Sequence, residues 1–228
     1  MATAVTTTPV PPVTLRIPPL PARLRTILGC LRTLAKDPGR LDVVLVLTQT
    51  VNLPALGRAM DRVAANEEGR RLLAERPRID RTTVDLDALA ALPDGTLGRE
   101  YARFLTDNGI TPEPFEKLPD VGDERAAFVM LRLRQSHDLW HVMTGYAPDV
   151  RGELLLQAFT YAQTGAPSAL LIAVFGWLRY GRLSPALLRD LVRAHRRGQA
   201  SGSFPTFRWE DHWATPVAEL RDRFAVPA

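Results

Sequence analysis

The chain has 228 residues, of which 46% are hydrophobic and 24% charged, as is usual for a soluble globular protein with one substantial core. Its net charge of +4 is spread along the chain and comes almost entirely from arginine. That pattern argues against the clustered basic surface of a nucleic-acid-binding protein, but it is compatible with attraction to an anionic membrane surface. The single cysteine, Cys30, excludes an internal disulfide, indicates a reducing compartment and is predicted to be a small buried thiol.

The first twenty residues are rich in proline, with threonine and valine between the prolines. They lack the features of a secretory signal and of a mitochondrial transit peptide. We therefore predict a proline-rich arm that is disordered or polyproline-like over residues 1–20, followed by one domain over residues 21–228. No apolar run reaches the roughly eighteen residues that a membrane-spanning helix needs.

Three helices are predicted over the first part of the domain, at residues 21–35, 41–53 and 54–65. The second segment contains the run Val43 to Leu47, which is β-branched enough for a buried strand. A helix is preferred because no other segment offers that strand a partner. Asn66 is then expected to open a short helical stretch that runs to Leu73.

The middle of the chain alternates polar connections with short helices. Residues 76–87 and 111–120 are predicted connections, and helices are predicted at 86–92 and 97–106. Asp85 or Asp87 is placed to cap the first of these helices, and Asn108-Gly109 to end the second.

Four further helices are predicted, at residues 124–143, 150–161, 169–178 and 184–193. The segment at 169–178 is the most apolar in the chain, so burial as a central core helix is the first interpretation. The alternatives are that it lines a channel for a long apolar ligand or lies on a membrane surface. The predicted fold class is all-α, a single-domain bundle of eight to ten helices.

One motif in this bundle carries candidate chemistry. His137 and His141 are four residues apart, so on a helix their imidazoles face the same point, and Asp138 can lean towards it. A turn follows, and Glu153 lies in the first turns of the next helix, where it can fold back on the first. Two imidazoles with one or two carboxylates are suitable ligands for a divalent metal ion.

Two better-known motifs fit these residues poorly. A zinc protease carries glutamate directly after the first histidine of the pair, and here that residue is the shorter Asp138. A phosphohydrolase built on a His-Asp doublet needs a histidine further upstream, and none precedes His137.

The spacing His-Asp-x-x-His, eleven residues and then Glu resembles the coenzyme Q (ubiquinone) biosynthesis protein 4 family. Three other stretches are similar to that family as well: residues 128–136 before the motif, 92–109 upstream, and 207–221 near the C-terminus. The resemblance extends over roughly residues 24–224.

This resemblance implies a role in ubiquinone biosynthesis on substrates that carry long polyprenyl chains. It admits a catalyst that replaces the C1 carboxylate of the ring by hydroxyl, or a lipid-binding scaffold that organises the biosynthetic complex. The resemblance implies zinc, whereas two histidines and a carboxylate also suit Fe(II), Mn(II) or Co(II). Expected partners are a prenyl lipid or quinone precursor, other proteins of the pathway, a membrane surface and a second copy in a homodimer. The expected location is the cytoplasm, at the inner membrane.

Three residues around the motif have roles that the sequence leaves open. Asp138 either binds the metal or orients a histidine. Arg134 lies on the same helical face and either pairs with Asp138 or clamps a substrate carboxylate. Gln157, one turn beyond Glu153, is a candidate to support a ligand from outside the coordination sphere.

Overall fold

The computed structural model describes residues 14–37, 40–111, 120–182 and 184–226. In these ranges the chain forms eleven α-helices and one 3₁₀ turn, and no strand, so the all-α fold class is confirmed. Most of the predicted arm and of the second polar connection lie outside the described residues, and the domain limits stay a prediction. The helices are α1 (Leu20–Lys36), α2 (Leu41–Ala64), α3 (Glu67–Glu75), α4 (Leu86–Ala90), α5 (Leu97–Asp107), α6 (Glu124–Gln135), α7 (His137–Thr144), α8 (Val150–Thr164), α9 (Pro167–Arg179), α10 (Pro185–Ala200) and α11 (Val217–Arg223).

Helix α2 replaces two predicted helices. The run from Val43 is helical, as preferred, but the predicted boundary at Pro54 is wrong, because the helix continues through that proline to Ala64. The hydrogen bond lost at Pro54 is outweighed by burial of Leu53, Leu56 and the following turns against α3 and α6. By length and composition alone, Asp42–Ala64 could also cross a membrane, a property that the sequence interpretation had excluded and that core helices share.

The side chains of Asn66 and Asp85 cap the N-termini of the small helices α3 and α4. Asn66 Oδ1 accepts from Gly69 N at 2.7 Å, and Asp85 Oδ1 accepts from Ala88 N at 3.0 Å. Each cap satisfies a backbone donor that has no partner within its own helix. The expectation that Asp85 or Asp87 caps α4 is therefore settled in favour of Asp85.

The long helix predicted at residues 124–143 is divided in two at Ser136. The backbone of Ser136, at φ −93° and ψ −1°, departs from helical geometry and separates α6 from α7. Hydrogen bonds from Ser136 N to Arg132 O and from Trp140 N to Ser136 O carry the chain through this bend. The metal motif therefore lies on the short helix α7.

An aromatic core lies behind α7. Trp140 packs edge-on against Phe159 of α8 and Phe204 of the C-terminal segment, with ring centroids 6.3 and 5.4 Å apart. Phe204 in turn contacts Trp209 and Phe224. All five rings are buried, so this aromatic core fixes the position of α7, the helix that carries both histidines.

Helix α9 contradicts its first interpretation as a central core helix. Its small residues Ala173 and Gly176 are buried, whereas Phe175 is 61% exposed and Leu178 is 47% exposed. A Cβ added at Gly176 would lie 2.0 Å from a methyl carbon of Leu154, so the small side allows close packing on α8. The large apolar side chains of α9 consequently face outwards.

Candidate metal centre and adjoining cavity

Three of the four predicted ligands converge. Glu153 Oε1 lies 3.1 Å from His141 Nε2, and Glu153 Oε2 lies 3.4 Å from His137 Nε2. One ligand atom from each residue lies within 4.8 Å of the others. Ligand atoms about 2.0–2.2 Å from a shared tetrahedral ion are roughly 3.4 Å apart, so the two His–Glu distances already fit an ion. This metal cluster, His137, His141 and Glu153, can hold a divalent cation.

The hydrogen bonds of His141 fix which ring nitrogen faces the cluster. Its Nδ1 lies 2.8 Å from the backbone carbonyl of Tyr146, so Nδ1 must carry the proton and donate it. Nε2 then faces Glu153, either as a second N–H of an imidazolium or as a free lone pair. A lone pair directed at a carboxylate is repelled unless a cation lies between them, which is the arrangement of a metal ligand.

The pKa values of the cluster follow from these contacts. Burial raises the pKa of the Glu153 carboxyl, but hydrogen bonds from His137 and His141 outweigh it and bring the pKa to about 2. Burial lowers the pKa of His141, but its hydrogen bonds to Glu153 and to the Tyr146 carbonyl leave that pKa raised. The metal-free cluster therefore favours an ionic His–Glu pair.

Asp138 is not among the three converging residues. It is half-buried on the side of α7 that faces α5, and burial raises the pKa of its carboxyl. Burial, and then the charge of Asp138, raise the pKa of Tyr101 on α5 as well. The position of Asp138 suits a proton-holding group beside the cluster better than a direct ligand.

The chain between α7 and α8 brings Glu153 back onto the histidines. Asp149 caps α8 by accepting from Gly152 N at 2.6 Å. A Cβ at Gly152 would lie 1.9 Å from the carbonyl oxygen of Ala147, so only glycine permits this close return of the chain. The predicted fold-back of Glu153 onto the first helix is thus present.

Two arginines that sequence reasoning missed hold the end of α7. Arg221 donates to the carbonyls of Val142 and Met143, both at 3.0 Å, and Arg197 donates to that of Thr144 at 2.8 Å. These cations satisfy terminal carbonyls of the helix that carries both histidines. No local sequence pattern predicts such contacts, because each arginine lies more than fifty residues after the carbonyl to which it donates.

One neighbouring aromatic ring, that of Phe104, packs on the histidine pair. The rings of His137 and His141 meet edge to face, with centroids 4.9 Å apart. Phe104 of α5 stacks on His141 at 5.3 Å and was also missed. The exposed fraction of the side chain is 1% for His141 and 31% for His137, so the cluster opens on the His137 side.

A cavity of about 360 Å³ adjoins His137, and it is called the apolar cavity below. Its size falls in the range of ligand pockets in proteins. Helices α2, α6, α7, α8 and α9 line it with Val44, Leu45, Thr48, Gln49, Asn52, Ala55, Leu56, Ala59, Met130, Leu133, Arg134, His137, Gln157, Thr160, Thr164, Ala166, Ser168, Ala169 and Ile172.

Arg134, Gln157 and His137 all line the apolar cavity, and the roles predicted for Arg134 and Gln157 stay predictions. Arg134 is half-buried, and this burial lowers the pKa of its guanidinium. Asn52, in the apolar helix α2, exchanges two hydrogen bonds with Ser168 of α9, each 2.9 Å long. Asn52 was overlooked, although a cluster of polar residues within an apolar helix signals such a contact.

Comparisons with known proteins agree on one family. The model of the family described as coenzyme Q (ubiquinone) biosynthesis protein Coq4 matches residues 20–228. The ubiquinone biosynthesis protein COQ4 homolog, mitochondrial, of Xenopus tropicalis is 39% identical over 191 residues, which are 83% of this chain and 68% of that protein. Its counterpart in Homo sapiens is 35% identical over 194 residues, 84% of this chain and 73% of that protein. A crystal structure from Nostoc punctiforme, of a protein assigned to ubiquinone biosynthesis, is 29% identical, with a TM-score of 0.73 over 90% of this chain and 97% of that one.

Proposed function

Because the chain belongs to the coenzyme Q (ubiquinone) biosynthesis protein Coq4 family, we propose that it acts in ubiquinone biosynthesis as a metal-dependent enzyme. Its substrate would be a polyprenyl hydroxybenzoate-derived precursor whose C1 carboxylate is replaced by hydroxyl. The observation that carries this proposal is the apolar cavity, whose lining includes His137 of the metal cluster and Arg134.

In this proposal the prenyl tail occupies the apolar cavity and the ring faces the cluster. Each buried methylene contributes roughly 0.8 kcal/mol, so the tail supplies most of the affinity. Arg134 binds the ring carboxylate in the two-pronged manner that guanidinium favours, and its partial burial strengthens that contact. Gln157 lies beside His137 and holds a ring substituent or a ligand in place.

The balanced reaction takes an aromatic carboxylic acid, water and dioxygen to the phenol, carbon dioxide and hydrogen peroxide. The bond from the ring to the carboxyl carbon breaks, a bond from the ring to oxygen forms, and dioxygen accepts two electrons. A divalent metal held by His137, His141 and Glu153 would supply Lewis acidity to the ring oxygens and, if redox-active, a path for these electrons. Asp138, whose carboxyl has a raised pKa, holds the proton released at the new hydroxyl.

The experiment reconstitutes metal-free protein with Zn(II), Fe(II), Mn(II) or Co(II) and supplies a prenylated hydroxybenzoate. Carbon dioxide and the new phenol are measured with and without oxygen. We expect release that depends on oxygen and on one redox-active ion. Release without oxygen would reduce the reaction to simple decarboxylation and overturn the oxidative mechanism.

The second candidate function is a prenyl-lipid-binding scaffold without catalysis. The apolar cavity favours it too, because a tail fits there whichever chemistry takes place at the ring. His141→Ala separates the two, since it removes a ligand but leaves the cavity lining unchanged. If the protein is a scaffold, His141→Ala keeps its lipid and its partners. If the protein is an enzyme, the same variant loses turnover. Lipid retention without turnover under any metal, in the unaltered protein, would favour the scaffold.

The same role defines the partners that we propose. Other proteins of the ubiquinone pathway would supply and consume the precursor. A lipid with a long prenyl tail resides in a bilayer, so we place the protein in the cytoplasm, peripherally associated with the inner membrane. The expected homodimer also stays a proposal.

A further inference from the structure

The outward side of α9 is a continuous apolar surface, called here the α9 face. Five large side chains follow one another around this side of the helix, all between 41% and 61% exposed: Leu170, Leu171, Val174, Phe175 and Leu178. Single exposed leucines are normal on a protein surface, but an array of this kind marks a contact with another apolar partner.

Helix α1 carries a second apolar surface, called here the α1 stripe. Leu20, Leu24, Leu28 and Leu31 recur at helical spacing on one side and are between 46% and 60% exposed. The opposite side of α1, with the buried Cys30, packs on α2. Helix α2 contacts both α1 and α9.

The charged residues within both helices are positive. In α1, Arg25, Arg32 and Lys36 are exposed and border the α1 stripe, and no acidic residue occurs in the helix. In α9 the single charged residue is the exposed Arg179, and the exposed Arg182 follows the helix. Apolar helix faces bordered by lysine and arginine suit the interface of an anionic bilayer.

The apolar cavity reaches this same region. Ile172 of α9 is 37% exposed and also lines the cavity, so it belongs to both. Val44 and Leu45 of α2 line the opposite wall. We propose that the α9 face and the α1 stripe dock on an anionic lipid bilayer, so that a tail enters the cavity between α2 and α9 directly from the membrane. The docking assigns a surface to the membrane association proposed above, and the entry step rests on the proposed function.

A second copy of the chain suits these surfaces less well than a bilayer. In a twofold dimer the same patch meets itself. That arrangement would bring the cations of two α1 or two α9 helices into one interface, while neither helix offers a carboxylate to neutralise them. Anionic lipid headgroups supply that negative charge.

Vesicle sedimentation of the full chain tests the apolar contacts. Phosphatidylcholine vesicles with about one third phosphatidylglycerol are compared for the unaltered protein, Leu24→Glu/Leu28→Glu and Phe175→Glu. We expect both variants to lose at least tenfold in partitioning. Leu188→Glu is the matched control, because Leu188 belongs to α10 and is 41% exposed, much as the leucines of the two surfaces are. Equal losses in the control would overturn the proposal.

Charge reversal tests the anionic headgroups. Arg25→Glu/Arg32→Glu should weaken binding severalfold on the phosphatidylglycerol vesicles and much less on pure phosphatidylcholine. The control, Arg81→Glu/Arg189→Glu, reverses two exposed arginines elsewhere and should change binding by less than twofold. Equal binding by all variants would refute docking through these helices. A dimer that dissociates on Phe175→Glu, with vesicle binding unchanged, would assign the α9 face to a second copy instead.

Folding and function are measured on the same variants. Circular dichroism melts and bound metal should match the unaltered protein, and a variant that fails this check is replaced by Leu28→Ser or Phe175→Ser. Loss of vesicle binding with metal intact supports docking even if no turnover is found, so failure of the proposed chemistry stays distinguishable. Retained turnover on long-tailed substrate in vesicles, despite lost docking, would overturn entry from the membrane.

Discussion

The metal cluster and the α9 face distribute their side chains in opposite ways. Around the cluster the large rings are buried: Trp140 of α7 is 2% exposed, and His141 is 1% exposed between Phe104 and Glu153. In α9 the small residues are buried and Phe175 is exposed. The first arrangement fixes a geometry, whereas the second leaves apolar area for a partner.

This contrast separates the parts of a site that must be rigid from those that must admit a ligand. Ligand atoms tolerate displacements of only a few tenths of an ångström, so they are held by hydrogen bonds and packing. A cavity that receives a flexible tail needs apolar walls and an opening. The junction between the two regions is His137, which belongs to the cluster and to the apolar cavity.

Loss of a ligand is the strongest test of the rigid region. His137→Ala and Glu153→Ala should each reduce metal affinity by ten- to a hundredfold or more, measured as metal content after dialysis. The control is Glu124→Ala, which removes a glutamate whose side chain is 80% exposed and remote from the cluster. Unchanged metal content in the double variant His137→Ala/Glu153→Ala would refute the site.

Metal affinity should rise with pH, by up to about tenfold per pH unit for each proton released. His141 has a raised pKa, so protons still compete for Nε2 above pH 6.5, while Glu153, with a pKa of about 2, is ionised throughout. We expect the metal-induced rise in melting temperature to be larger at pH 8 than at pH 5.5. His195→Gln, the control, should leave that difference unaltered. An equal rise at both pH values would argue against histidine ligation.

Without metal, the pair of His141 and Glu153 should stabilise the fold less, not more, as pH rises above 6.5. Because the folded pKa of His141 is raised, its stabilising contribution is complete below pH 6.5 and is lost as pH rises through the folded pKa. The pKa of Glu153 is lowered from 4.5, so its contribution is present above pH 4.5 and is lost as pH falls towards 2. The pair therefore stabilises the metal-free protein most between about pH 4.5 and 6.5.

Obstruction of the apolar cavity should weaken lipid binding and leave metal binding unchanged. Ala59 lines the cavity on α2, and in Ala59→Phe a phenyl ring would take part of its volume of about 360 Å³. Affinity for a prenylated ring should fall about tenfold with metal content unchanged, whereas Ala88→Phe, at an exposed position of α4, should alter neither. In the unaltered protein, affinity should rise with tail length until the cavity is filled. Affinity that does not depend on tail length would contradict a lipid site.

The cluster was predictable from sequence because its geometry is local. Two histidines one helical turn apart and a glutamate soon after a turn leave few ways to fold. The contribution of Tyr146 was not predictable, since it acts through a backbone carbonyl that any residue provides. The bend at Ser136 was missed for a related reason: neither proline nor glycine marks it.

The orientation of α9 shows a different limit of sequence interpretation. Its hydropathy correctly indicates an apolar helix, but hydropathy does not tell which side of the helix packs on protein and which side stays exposed. The small residues Ala169, Ala173 and Gly176, recurring at helical spacing, were the available signal for the packed side. Which neighbouring helix fills that side is settled by contacts that are distant in sequence.

The smallest expected effect concerns the link between α2 and α9. Asn52 accepts from the backbone N–H of Ser168 and donates to its hydroxyl, both at 2.9 Å and at the wall of the apolar cavity. Asn52→Leu keeps the size of the side chain but leaves that half-buried N–H without its partner, which costs about 1–2 kcal/mol. Urea unfolding should show this loss with metal content unchanged. Asn52→Asp retains the acceptor and should recover part of the stability. The contrary result is that Asn52→Leu reduces the free energy of metal binding by as much as it reduces the free energy of unfolding. That result would make the cluster and the cavity wall one cooperative unit and would contradict the contrast between the two regions.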